Sequence, residues 1–173
     1  IGVNGLTGPT DPEADYEIYW KVSFHANKKP IMWHSDPADM TILAKFAESL
    51  PLLSLISGSD QDQHVEQRWL EVLRQMQGPN GLLYAPKVGR PWCVWDFKKY
   101  APWCNGEDSQ GDHYVCPFLS GRALGVMTLY HLLTEDPQWK SAGRKLVDGF
   151  EKLAVVDGKK AHLPVTDASN PGT

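Results

Sequence analysis

Two stretches of this chain gather side chains that could hold a polar ring and act on it. Trp33, His34, Ser35, Asp36, Pro37, Ala38 and Asp39 are consecutive, and Arg90, Trp92, Trp95, Asp96, Trp103, Glu107, Asp108, Asp112 and His113 share one later segment. An indole offers a flat apolar face, while neighbouring carboxylates and guanidinium groups offer hydrogen bonds. A saccharide, with apolar C–H faces and a polar edge, uses both. Cleaving a glycosidic bond needs two carboxyl groups as well, one protonated as the acid and one ionised as base or nucleophile. Asp39, Asp96 and Asp112 are the candidates for that catalytic pair. Trp33, His34, Asp36, Arg90, Trp92, Trp95, Trp103, His113 and Arg122 form the candidate substrate-binding set. Spacing along the chain does not give the distance between carboxylates, so retaining and inverting chemistry both stay open. On a uronic acid, a lyase or epimerase would instead use His34, or His113 and Tyr114, as base and acid, with Arg90 or Arg122 holding the carboxylate.

Plainer roles compete for the same residues. Ser35 or Asp36 followed by Pro37 is a helix start signal, because a short polar side chain caps the first free amides and proline suits the first helical position. A carboxylate such as Asp39 in the first turn complements the helix dipole without any chemistry. The tryptophans could also anchor a long loop to the body. Cys93, Cys104 and Cys116 with His113 could supply four zinc ligands. They lack a close C-x-x-C pair, and an odd cysteine count is not a disulfide framework. No metal and no cofactor are therefore expected.

The elements that must position these residues are helices. To residue 36 the chain is turn-rich, yet Tyr16, Ile18, Tyr19, Trp20, Val22 and Phe24 predict that it packs on the body as a short helix or strand. Over 37–77, Met40, Leu43, Ala44, Ala47, Leu50 and Leu53 recur at helical spacing, and Val65, Trp69, Val72 and Met76 do so again after Ser57-Gly58-Ser59-Asp60. This predicts a first helical hairpin. Residues 78–117 are a proline- and glycine-punctuated loop of a length that usually signals function or disorder, and its tryptophans argue against disorder. Over 118–154 a second hairpin follows: Leu119, Ala123, Leu124, Val126, Met127, Leu129 and Tyr130 make its first helix apolar nearly all round, so burial on most sides is expected. Its second helix, with Trp139, Leu146 and Phe150 opposite Lys140, Arg144 and Lys145, is amphipathic. Residues 155–173 form an exit loop. Arg122, inside the apolar helix, needs a partner or an opening onto a cleft. Gly121 and Gly125 on the same helix predict close helix packing.

The two hairpins read as copies of one unit. Gly158 lies 77 residues after Gly81, and the same offset pairs Leu52 with Leu129, Ile56 with Leu133, Val65 with Ala142 and Leu70 with Val147. The fold class expected is all-α, made of repeated antiparallel helical hairpins that stack because one hairpin cannot bury both faces alone. Short turns join the helices within each hairpin and long segments join the hairpins. Every long segment therefore falls at one end, beside the N-termini of the first helix of each unit. Those two helices are the expected inner ones.

Pro30-Ile31-Met32-Trp33-His34-Ser35-Asp36, Gly78-Pro79-Asn80-Gly81-Leu82-Leu83-Tyr84, Gly89-Arg90-Pro91-Trp92 and Gly121-Arg122-Ala123-Leu124-Gly125 resemble bacterial (α/α)-toroid proteins of the six-hairpin glycosidase type. The resemblance implies a glycan-acting protein and a carbohydrate partner. Such a toroid needs about six hairpins, so this chain, which begins at Ile1 and ends in the loop-like Asn170-Pro171-Gly172-Thr173, is expected to be an excerpt whose partners include further hairpins. The alternative is a non-catalytic helical-repeat module that binds a glycan or protein. A net charge of −4 without a block of like charges leaves no footprint for nucleic acid or an anionic membrane. No apolar run is long enough to span a bilayer, so the chain reads as soluble.

Overall fold

The computed structural model describes residues 1–19, 21–34, 40–86, 113–115 and 117–163, and most of them are helical. The helices are α1 (Gly2–Thr7), α2 (Met40–Ser57), α3 (Gln63–Gln75), α4 (Pro117–Thr134) and α5 (Pro137–Leu153). The strands among the described residues are short and pair as antiparallel ribbons: β1 (Thr10–Asp11) with β2 (Glu17–Ile18), β3 (Lys21–Ser23) with β4 (Ile31–Trp33), β5 (Tyr84–Pro86) with β6 (His113–Val115), and β7 (Val155–Asp157) with β8 (Lys160–His162). No helix among them is long and apolar enough to cross a membrane.

Local chemistry sets the helix boundaries. Asp136 caps α5, its side chain accepting the Gln138 N–H at 2.8 Å with Pro137 at the first helical position. Val65, Trp69, Val72 and Leu73 bury one face of α3, and Trp139, Gly143, Leu146 and Gly149 bury one face of α5. Both helices are amphipathic because that face alone meets the core.

The hairpins α2–α3 and α4–α5 lie side by side. Arg74 sits 4.2 Å over the Trp139 ring, the Gln77 amide donates to the Ala142 carbonyl at 2.9 Å, Gly81 abuts Lys145, and Asn80 abuts Gly149. These contacts climb both chains in the same direction, so α3 and α5 run parallel. Since each is joined to its partner by a tight turn, α2 and α4 also run parallel, and they pack on one another. Leu43, Leu50, Trp69, Leu73, Leu119, Met127 and Leu146 fill the core between the four helices.

The first 34 residues brace this pair from one side. Ile18 joins the core, the Trp69 indole donates to the Tyr16 carbonyl at 2.9 Å, and Arg68 bonds Asp15 at 2.7 Å. The Thr7 hydroxyl donates to Asp62 at 2.6 Å, fixing α1 to the turn between α2 and α3.

Several expectations change. The apolar α4 is not buried on most sides: Phe118, Leu132 and Leu133 are exposed, as are Leu52, Leu55 and Ile56 on α2. Gly121 and Gly125 do not mediate close packing, because a Cβ at either would meet nothing within 4 Å. The close approaches are instead at Gly143, where a Cβ would lie 3.2 Å from Leu124, and at Gly149, where it would lie 2.9 Å from the Asn80 carbonyl. Part of the exit loop is a ribbon, β7–β8, turning at Gly158.

Gly81 and Gly158 both have positive φ, +87° and +60°. They differ in surroundings, since a Cβ on Gly81 would lie 2.1 Å from the Lys145 carbonyl oxygen, whereas one on Gly158 would meet open space. Gly158→Ala should cost about 1 kcal/mol of backbone strain. Gly81→Ala should add the overlap and reach about 3 kcal/mol. Urea unfolding of the two variants measures the difference, and equal losses would mean that this turn does not seat against α5.

Candidate functional site

A groove of about 470 Å³ opens along the N-terminal half of α4, lined by Glu48, Pro117, Phe118, Gly121, Arg122 and Gly125. The helical period puts Phe118, Gly121, Arg122 and Gly125 on one face of α4, and the two glycines leave that face without side-chain bulk beside the phenyl ring and the guanidinium group. Phe118 is 58% exposed and presents an apolar ring to solvent. Arg122 is 41% exposed, with its Nη1 3.7 Å from the Glu48 carboxylate. Arg122, expected to need a partner or an opening onto a cleft, has a carboxylate beside it and an open groove in front of it. A loose, exposed ion pair of this kind contributes at most about 1 kcal/mol, so either group can turn to a ligand at little cost. The groove therefore offers a flat apolar surface, a strong fork of donors and a carboxylate acceptor.

A second cluster is built by the N-terminal ribbons. β1 carries Asp11 and β2 carries Glu17; Tyr19 follows β2, and His34 follows β4. His34 Nε2 lies 3.0 Å from Asp11 Oδ2, its Nδ1 is 3.8 Å from the carboxylate of Glu17, and its ring stacks on Tyr19 at 4.5 Å between centroids. Glu17 is 3% exposed. Burial pushes the Asp11 carboxyl up, but hydrogen bonds from His34, Tyr19 and the Glu13 amide outweigh it and hold the group below the ordinary carboxylate value. Burial, then the bond to Asp11, pushes the Tyr19 phenol up. An imidazole oriented by a carboxylate can move a proton, and the same contacts tie the two ribbons together.

Of the residues singled out from sequence, the structure places Arg122 in the groove and His34 in the ribbon cluster. Asp36, Asp39, Arg90, Trp92, Trp95, Asp96, Trp103 and Asp112 lie outside the described residues. Trp33 and His113 are placed by backbone alone, at the ends of β4 and β6, where His113 pairs with Pro86. Cys93 and Cys104 fall outside the described residues, as does Cys116, and no group of three or more potential metal ligands occurs among those described. Sequence reasoning missed Glu48, Phe118, Asp11, Glu17 and Tyr19. Glu17 carried a signal, being the carboxylate directly ahead of the apolar run Ile18-Tyr19-Trp20. Glu48 carried none, because its meeting with Arg122 depends on how α2 and α4 pack.

No family model, curated protein or solved structure matches the chain.

The Asp11 bonds make a pH prediction. A carboxyl whose folded value is depressed contributes stability that is fully present above its unfolded value of 3.8 and is lost as pH falls through the lower folded value. Stability measured by urea unfolding on either side of that range should fall more steeply with acid in the native chain than in Asp11→Asn. Identical slopes would mean that the cluster does not survive in solution.

Proposed function

We propose that this chain is a section of an (α/α)-toroid glycoside-hydrolase-like protein, and that a saccharide lies in the groove along α4. The observation that carries the reading is the groove itself, with an exposed phenyl ring, a half-exposed arginine and a carboxylate arranged around two glycines. In the groove a sugar face stacks on Phe118, and its hydroxyls bond Arg122 and Glu48. Supporting the repeat, α4 ends 77 residues after α2, at Thr134 against Ser57. The parallel course of α2 and α4 also favours it, since the segments ahead of both then meet at one end. In this reading the acid and base come from Asp39, Asp96 and Asp112, which precede the N-termini of α2 and α4 in the chain. Their separation selects a retaining or an inverting course.

The competing module reading predicts binding without turnover. Isothermal titration of a panel of neutral and acidic oligosaccharides, run beside a hydrolysis screen on the same panel, separates the two. A sugar bound by the native chain should bind at least about tenfold more weakly to Arg122→Ala, the loss of a charged hydrogen bond. Asp39→Asn, Asp96→Asn and Asp112→Asn should retain binding while at least one loses turnover. Binding with no turnover in any protein supports the module. Failure of every sugar to bind would sink the glycan reading.

A further inference from the structure

Hairpin α2–α3 and hairpin α4–α5 differ in what covers them on the side that faces along the chain. On α2, Ala44, Ala47 and Pro51 form a strip at helical spacing and are buried in a helix that packs against α4. Tyr130 of α4 is buried, and its hydroxyl donates to Glu66 of α3 at 2.6 Å. The positions 77 residues on tell the opposite story. Gly121 and Thr128 are exposed, Leu124 is half-buried, and Gly143 stands where Glu66 would be. Between α4 and α5 this leaves an open groove of about 330 Å³ whose floor is Leu124, Met127, Trp139, Gly143 and Val147. Its floor is apolar, and its rim carries Lys140 and Arg144, both exposed. Among the described residues neither makes an ion pair. Asp148 is the one carboxylate in the described lining.

We propose that this groove seats an amphipathic helix, apolar on its inserted face and acidic along its flanks, entering α4–α5 as α4 enters α2–α3. The occupied groove supplies the argument. A helix laid over a hairpin is already part of this fold, since α4 packs on α2 and bonds α3 through Tyr130, and the second groove keeps the apolar walls that such a helix needs. Its chemistry has changed in two places. With Gly143 in place of a glutamate, the floor has no acceptor for a phenol and favours a purely apolar anchor. With Lys140 and Arg144 in place of Gln63 and Gln67, the rim has become basic and selects carboxylates. The inference rests on the 77-residue correspondence and not on the sugar reading, so a failed glycan screen leaves it standing.

The test uses the full chain, isotope-labelled for backbone NMR, and a lactam-stapled helix carrying leucines at i, i+4, i+7 and i+11 with glutamates on both flanks. Saturable shifts should centre on Met127, Thr128, Gly143 and Val147. A lysine-flanked counterpart should bind about fivefold more weakly, the loss expected from two rim ion pairs. Val147→Asp and, separately, Thr128→Arg alter side chains at the groove that are exposed, so circular dichroism should stay native while binding is lost. No shift at millimolar peptide would overturn the proposal, as would shifts centred on the exposed Leu55 and Leu132. Equal affinity for both peptides would overturn the acidic flank.

Discussion

The seat of Tyr130 between α3 and α5 is the constraint on which the rest of the structure depends. Its ring packs 5.6 Å from that of Trp139, and its hydroxyl donates to Glu66. Burial, followed by that carboxylate, pushes the phenol well up, so the group stays neutral and remains a donor. One side chain thus joins three helices from two hairpins. Around it Arg74 covers Trp139, and the Gly78–Leu82 turn lies against α5. Moving Tyr130 by one helical turn would slide α4 by about 5.4 Å along α2 and separate Glu48 from Arg122.

That course gives the two sides of α4 different work. Leu119, Ala123, Val126 and Tyr130 face the first hairpin and are buried. Met127 is buried on the α5 side, whereas Phe118, Gly121, Arg122 and Gly125 remain open. A helix that is apolar nearly all round has no intrinsic preference for which face to bury. Here its neighbours decide, and the remaining faces become grooves. The groove around Arg122 is polar enough for a small ligand. The one beside Met127 has the apolar floor that suits another helix.

The N-terminal segment acts as a brace on the same body. Its two ribbons are held by Asp11, Glu17 and His34, and its link to the helices runs through Trp69 and Arg68. A buried tryptophan with its N–H satisfied combines a large apolar contact with a direction. The ribbon cluster is thereby set at a defined place on α3, a placement that two short strand pairs alone would not hold.

Much of the helical content was legible because periodicity is a local property: Val65, Trp69, Val72 and Met76 announce a buried face whatever they meet. The turns at Gly81 and Gly158 were equally readable, since backbone conformation there is dictated by one or two residues. Arg122 could be picked out as a residue in need of a partner, and His34 as one able to bind substrate or move a proton. Which partners they found could not be read, because Glu48 and Arg122 are 74 positions apart and Asp11 and His34 are 23 apart. Nor could the sequence tell that Gly121 and Gly125 border open space while Gly143 and Gly149 lie under neighbouring chains. A glycine states only that a side chain is missing. The amino-acid sequence by itself determined the helices, their turns and their apolar faces, because those follow from interactions within a few residues. Only the tertiary structure decided which faces were covered and which stayed open as grooves, because that depends on the direction in which one hairpin seats on the other.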